Sequence, residues 1–132
     1  MTTMEEFFGE AIHSYSRAQA IADGVLIPVE AGIAAEAGFR IPVALTAAAW
    51  ADCVTWTRDD GLQDETGRLW DVLWMTSHAV RRVGGTDRAR VRLLRVRNDG
   101  TSFDAEPVTL VATIGPGDQG EPVLTMMLPG ES

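Results

Sequence analysis

Two spacings of apolar residues alternate along the chain, and they assign most of its elements. Ser16 with Gln19 three positions on forms a capping box, so a short helix is expected over 17–22, with Gly24 as its left-handed stop. Residues 25–29 read as a strand, and Pro28, which has no N–H to donate, places that strand at a sheet edge. The Ala-rich run 31–37, followed by Gly38, reads as a second short helix. Residues 41–45 suit a strand or a helix start equally well. From Thr46, an N-cap residue type, a helix is expected to about Thr57.

A polar, acidic connector over 58–67 leads to Asp64 or Thr66, either of which can cap a helix over 68–82. Arg81, Arg82 and Gly84-Gly85 close that helix, with cations where its dipole favours them. Leu69, Trp70, Val72, Leu73, Trp74, Met75, Ala79 and Val80 make it apolar nearly all round, the pattern of a central core helix. After Gly85 the period falls to two. Strands are expected over 88–97, 107–114 and 123–128, joined by Asn98-Asp99-Gly100 and the glycine-rich turn 115–120. Short loops between successive strands imply an antiparallel meander. Helices first and strands later, in 132 residues, imply a single α+β domain over 1–132: short helices and a core helix packed on a C-terminal meander of three or more strands.

The first of these strands breaks its own alternation. Arg88, Arg90 and Arg92 share one parity, whereas Arg95 and Arg97 fall on the other after Leu93-Leu94. A regular strand sends two arginines toward the core, and a bulge at Leu93-Leu94 avoids that, so a bulge with all five on one solvent face is the expectation.

Charge sharpens the picture. The chain carries 11 Lys plus Arg, all of them Arg, against 19 Asp plus Glu, a net of −8. Residues 81–97 hold seven Arg and one Asp, a net of +6, inside an otherwise anionic chain. Such a field repels nucleic acid at long range, yet screening over about 8 Å lets a local arginine strip act locally. With no aromatic interleaved among the arginines to stack a base, direct nucleic-acid binding is not expected. The single Cys53 forms no intramolecular disulfide and fits the cytoplasm. The start of the chain carries Glu5, Glu6 and Glu10 without a positive charge, unlike a signal peptide, and no uncharged stretch reaches membrane-helix length.

The candidate protein-binding surface is therefore Arg88, Arg90, Arg92, Arg95 and Arg97, set against cross-strand pairing with acids such as Asp104 and Glu106. A second is the acidic group Asp59, Asp60, Asp64 and Glu65, with Asp52 nearby, which can imitate phosphates or simply line a solvated loop. A polar site at Glu10, Tyr15, Arg17 and Asp23 competes with plain helix capping. His13 and His78 with one Cys form no metal-ligand spacing, Ser77 and His78 point apart on a helix, and neither cofactor nor metal is expected. His78 shares a helix face with Asp71 and reads as a partly buried ring on a backbone carbonyl. Cys53 and the four tryptophans, Trp50, Trp56, Trp70 and Trp74, read as core; an exposed one is a binding hot spot.

Four stretches carry a family likeness: FGEAIHSYSRAQAIADGVLIPV (8–29), AGFRIPVALTAAAW (37–50), GRLWDVLWM (67–75) and VTLVATIGPGDQGEPVLTMMLPGE (108–131). Together they resemble a family of short, acidic, uncharacterised bacterial proteins often encoded on plasmids, phages and integrative elements. The resemblance transfers no catalytic residue. It implies a context in which small acidic proteins engage host machinery, defence systems included.

The expected function is thus a non-enzymatic protein-binding module of a mobile element, modulating a host nucleic-acid-handling or defence complex by charge-complementary docking. Two alternatives stand beside it. One is a small transferase or hydrolase using Glu10, Arg17, Asp23 and His78. The other is a homodimer in which the arginine strand of one copy meets the acidic stretch 98–132 of the other.

Overall fold

A computed structural model describes residues 15–84 and 87–131. The elements in chain order are α1 (Arg17–Ala22), β1 (Leu26–Pro28), α2 (Ala31–Glu36), β2 (Val43–Thr46), α3 (Ala47–Cys53), α4 (Glu65–Val83), β3 (Arg88–Val96), β4 (Ala105–Pro116) and β5 (Pro122–Met127). The strands form one sheet in the order β1-β2-β5-β4-β3. Strands β3, β4 and β5 are the expected antiparallel meander, and β2 joins β5 in parallel, which makes the sheet mixed. The fold is α+β, with the long helix before the meander.

Local signals explain the ends of most elements. The Ser16–Gln19 capping box closes both ways at the start of α1, and Gly24 takes φ 76° just past its end. Asp118, in the turn before β5, accepts from the N–H groups of Arg17 (2.7 Å) and Ala18 (3.1 Å), satisfying two further donors of α1. A Cβ at Gly117 in that turn would run into the Glu121 carboxylate, the flexible end of a side chain that would have to swing aside. Thr46 caps α3 through Ala49 N–H, and Asp64 caps α4 through Gly67 N–H at 2.6 Å. Helix α3 stops at Cys53, one turn before the expected Thr57, because Val54 and Thr55 both bond back to Trp50 C=O and the chain turns off.

One sheet face is packed by α3 and α4. Leu69, Val72 and Leu73 of α4 meet Cys53 and Ala49 of α3 over Leu45, Val91, Leu93, Leu110, Ala112, Leu124 and Met126. The buried Thr76 hydroxyl, which bonds Val72 C=O at 2.7 Å, also touches Met126 sulfur. This is the inner face. Helix α1 lies on the outer face, where Arg17 bonds Thr125 Oγ1 (2.7 Å) and Leu124 C=O (3.0 Å). Among the described residues no helix is long and apolar enough to cross a membrane, and no group of three metal-ligating side chains occurs.

The bulge expected at Leu93-Leu94 is absent. β3 keeps register with β4 from Arg88↔Thr113 to Val96↔Ala105 without an extra residue. Leu94 therefore stands on the outer face, 65% exposed, and Arg95 turns to the inner face. Pairing the buried guanidinium with a carboxylate proved less costly than breaking the ladder.

Candidate protein-docking edge

The phase of the β3–β4 ladder decides what β3 offers. Ile114 N–H bonds Asp87 C=O at 2.8 Å, so odd-numbered residues of β3 exchange backbone bonds with β4. The N–H and C=O groups of Arg90, Arg92 and Leu94 consequently point away from the sheet. β3 is the last strand of the sheet, and among the described residues no further strand pairs with it. At its far end the edge is closed: Val96 C=O accepts from Arg68 Nη1 at 2.8 Å.

Beside this edge runs a groove of about 400 Å³, lined by Asp71, Trp74 and Met75 of α4, Arg92, Leu93 and Leu94 of β3, and Pro107. Trp74 and Met75 are 50% and 39% exposed. The reading of Trp74 as core is thereby corrected. A sheet face covers only one side of a helix, so a helix apolar all round leaves an apolar stripe in water. Trp74 lies between Trp70 (6.4 Å between centroids) and His78 (4.6 Å), a row of rings along α4. His78 does take a backbone carbonyl, Trp74 C=O at 2.8 Å, but is exposed rather than partly buried.

The groove adjoins a cavity of about 20 Å³, and the two share Asp71, Leu93 and Leu94; Cys53, Gln63, Arg68 and Arg95 complete the cavity. Two guanidinium groups dominate it. Buried Arg68 donates to Val54 C=O (3.1 Å), Gln63 Oε1 (2.6 Å), Val96 C=O and Asp52 C=O (3.3 Å), and stacks 4.8 Å from the Trp56 ring. Burial lowers its pKa below the usual arginine value. Arg95, its side chain 9% exposed, donates Nε to Asp52 Oδ1 at 2.8 Å, while its buried Nη1 has no partner among the described residues. Burial and the neighbouring Asp52 push the Cys53 thiol up to about 12, so it stays protonated and inert despite the two arginines.

The five strand arginines thus do not act together. Arg88, Arg90 and Arg92 alternate with buried Ala89, Val91 and Leu93 and are exposed. Arg97 is also exposed but bound to Glu106 (2.7 Å) and near Asp99 (3.9 Å), and Arg95 is consumed by Asp52. The expectation of one solvent face for all five is corrected accordingly: two are neutralised by carboxylates of their own chain. Hydrogen bonds from Thr101 hold the Asp99 carboxyl below its ordinary value.

The acidic connector is similarly occupied. Asp64 caps α4, Asp60 pairs with Arg58 at 2.9 Å, and Glu65 accepts from Trp56 N–H at 3.2 Å. Asp59 is exposed. Arg58 itself lies between Trp56 (4.9 Å) and Phe103 (4.8 Å) and donates to Arg97 C=O and Ser102 C=O, which fastens the β3–β4 turn.

On the outer face Tyr15 OH donates to Asp23 at 2.5 Å, which raises the tyrosine pKa. Arg17 is bound to β5, and its pKa is lowered by burial. The sheet separates Arg17 from His78 of α4, so these two groups of the candidate enzyme site do not converge; Glu10 lies outside the described residues. Sequence reasoning missed Arg68 and the groove. The signal available for the groove was the row Asp71, Trp74, Met75, His78 at helical spacing, together with out-of-phase Leu94.

The chain matches, over residues 4–132, the model of a family of unknown function, DUF6573, and belongs to that family. No curated protein and no solved structure matches it significantly.

Proposed function

We propose that this DUF6573 protein is a protein-binding module without catalytic chemistry, which docks a partner along the open edge of β3. The observation that carries the reading is a nine-residue edge strand whose outward backbone groups at Arg90, Arg92 and Leu94 lie beside a groove exposing Trp74 and Met75. Unpaired strand edges add strands, and an exposed tryptophan in a groove is a typical anchor. Arg90 and Arg92 bias the partner toward acidic surfaces. The finer reading is a mobile-element protein that modulates a host nucleic-acid-handling or defence complex in the bacterial cytoplasm. It is supported by the resemblance of the four sequence stretches and by the single, buried Cys53.

The test is co-purification from the native host with wild type and with the Arg90→Glu, Arg92→Glu double variant. The expected result is a partner retained at low salt, released as salt rises, and lost from the double variant. A partner profile identical for both proteins at every salt concentration defeats the proposal.

A further inference from the structure

We propose that the groove and the cavity at its end form one site for an extended peptide whose carboxyl terminus enters the cavity; this deepens the protein-binding reading and rests on it. A strand added beside β3 bonds the outward N–H and C=O groups of Arg90, Arg92 and Leu94. It can go no further, because Arg68 already occupies Val96 C=O. A peptide in this seat therefore ends, or leaves the sheet, at the level of Arg95.

What waits there is the one guanidinium nitrogen buried without a partner among the described residues, Arg95 Nη1, on a side chain nine-tenths buried. None of the bonds of neighbouring Arg68 goes to a carboxylate. The carboxylates at hand are Asp52, engaged by Arg95 Nε, Asp71 on the helix wall and Glu65, which acts on Arg68 from the start of α4, against Arg68, Arg95 and, at the mouth, Arg92. These charges offset one another, so the pull on an incoming carboxylate comes from the unpartnered Arg95 Nη1 donor itself.

Size selects its form. A cavity of about 20 Å³ exceeds the roughly 10–15 Å³ a water needs, which admits a carboxylate oxygen on an arm but no free phosphate. With the carboxyl end at Arg95 the peptide runs parallel to β3. Its inward-facing residue opposite Leu93 then falls against Trp74 and Met75, and its outward-facing residues meet Arg92 and Arg90. The ligand class is an extended, acidic carboxyl-terminal segment with an apolar residue near its end. A second copy paired antiparallel on the same edge is disfavoured, since arginine would face arginine.

A library of octapeptides with free carboxyl termini, selected on the full chain, tests this. Enriched peptides are expected to carry an apolar residue close to the terminus, and to lose about tenfold or more in affinity on amidation, the scale of a charge-assisted hydrogen bond. Leu94→Pro removes one outward N–H and leaves the β4 ladder intact, so it should weaken binding by a similar factor with circular dichroism unchanged. Should that variant fail to fold, Trp74→Ala and amidation carry the test. No enrichment, or equal binding of amidated and free peptides, overturns the proposal and leaves the cavity to a water. If binding is indifferent to amidation and to Leu94→Pro yet falls with Arg90→Glu, Arg92→Glu, this inference fails while charge-complementary docking stands. Indifference to all of them removes both.

Discussion

In the first half of β3, Arg90 and Arg92 stand on the outer face, alternating with buried Val91 and Leu93; in the second half Arg95 turns inward onto Asp52, and just past the strand's end Arg97 binds Glu106. The residue type and the strand are the same. What differs is what lies opposite. Helix α3 presents Asp52 where Arg95 arrives, whereas Arg90 and Arg92 face Val111 and Thr109 of β4, which have no charge to offer. The parity break at Leu93-Leu94 is thus a change of role carried out in register: one half of the strand is left available to a partner, and the other is fastened to the helical layer.

The fastened half can be broken most severely at Arg68, which joins Val54, Asp52, Gln63 and the end of β3. Arg68→Met keeps the stem and leaves buried carbonyls without donors. A loss of about 3 kcal/mol or more is expected in urea unfolding. A loss below about 1 kcal/mol would mean that these carbonyls find water instead.

Next in size is the Asp52–Arg95 pair. Asp52→Ala strands a nine-tenths buried guanidinium and should cost about 2 kcal/mol. Arg95→Met on top of it removes the stranded charge, so the double variant should recover to within about 1 kcal/mol of wild type. Additive losses would show that the two side chains do not act as a pair.

Cys53, in the wall of the same cavity, gives an effect visible only in alkali. Its folded pKa is raised from 9.0 to about 12, so the folded state holds the proton longer than the unfolded chain. That contribution is complete below pH 9 and is lost as pH rises through about 12. Urea unfolding should therefore show stability falling across this window, with a shallower fall for Cys53→Ala. Parallel curves for the two proteins would place the loss elsewhere.

How much of this was legible depends on the range of each signal. The capping box of α1 and the caps at Thr46 and Asp64 follow from residues within one turn of each other, the edge position of β1 from Pro28, and the meander from period-two runs with turn residues between them. The fate of Arg95 does not. It depends on Asp52, 43 residues away, a contact made where α3 meets β3 on the inner face. Reasoning from one strand could see that a buried arginine is costly, but not that a carboxylate was waiting for it. The groove was hidden differently: all of Trp70, Trp74 and Met75 read as core until a one-sided sheet left two of them in water.

The smallest effect belongs to the unfastened half. Arg90→Gln and Arg92→Gln remove exposed charges that no carboxylate among the described residues pairs with, so stability should change by no more than about 0.5 kcal/mol each. Arg97→Gln, which gives up an exposed ion pair with Glu106, should cost between about 0 and 1 kcal/mol. Read together with partner binding, these variants separate the two roles within the strand. If Arg90 and Arg92 serve an outside anion, their loss weakens binding without moving the unfolding midpoint, and Arg97 does the reverse or nothing. A destabilisation at Arg90 or Arg92 comparable to that of Asp52→Ala would mean that the outer face is also held from within. The contrast between the halves of β3 would then be one of degree.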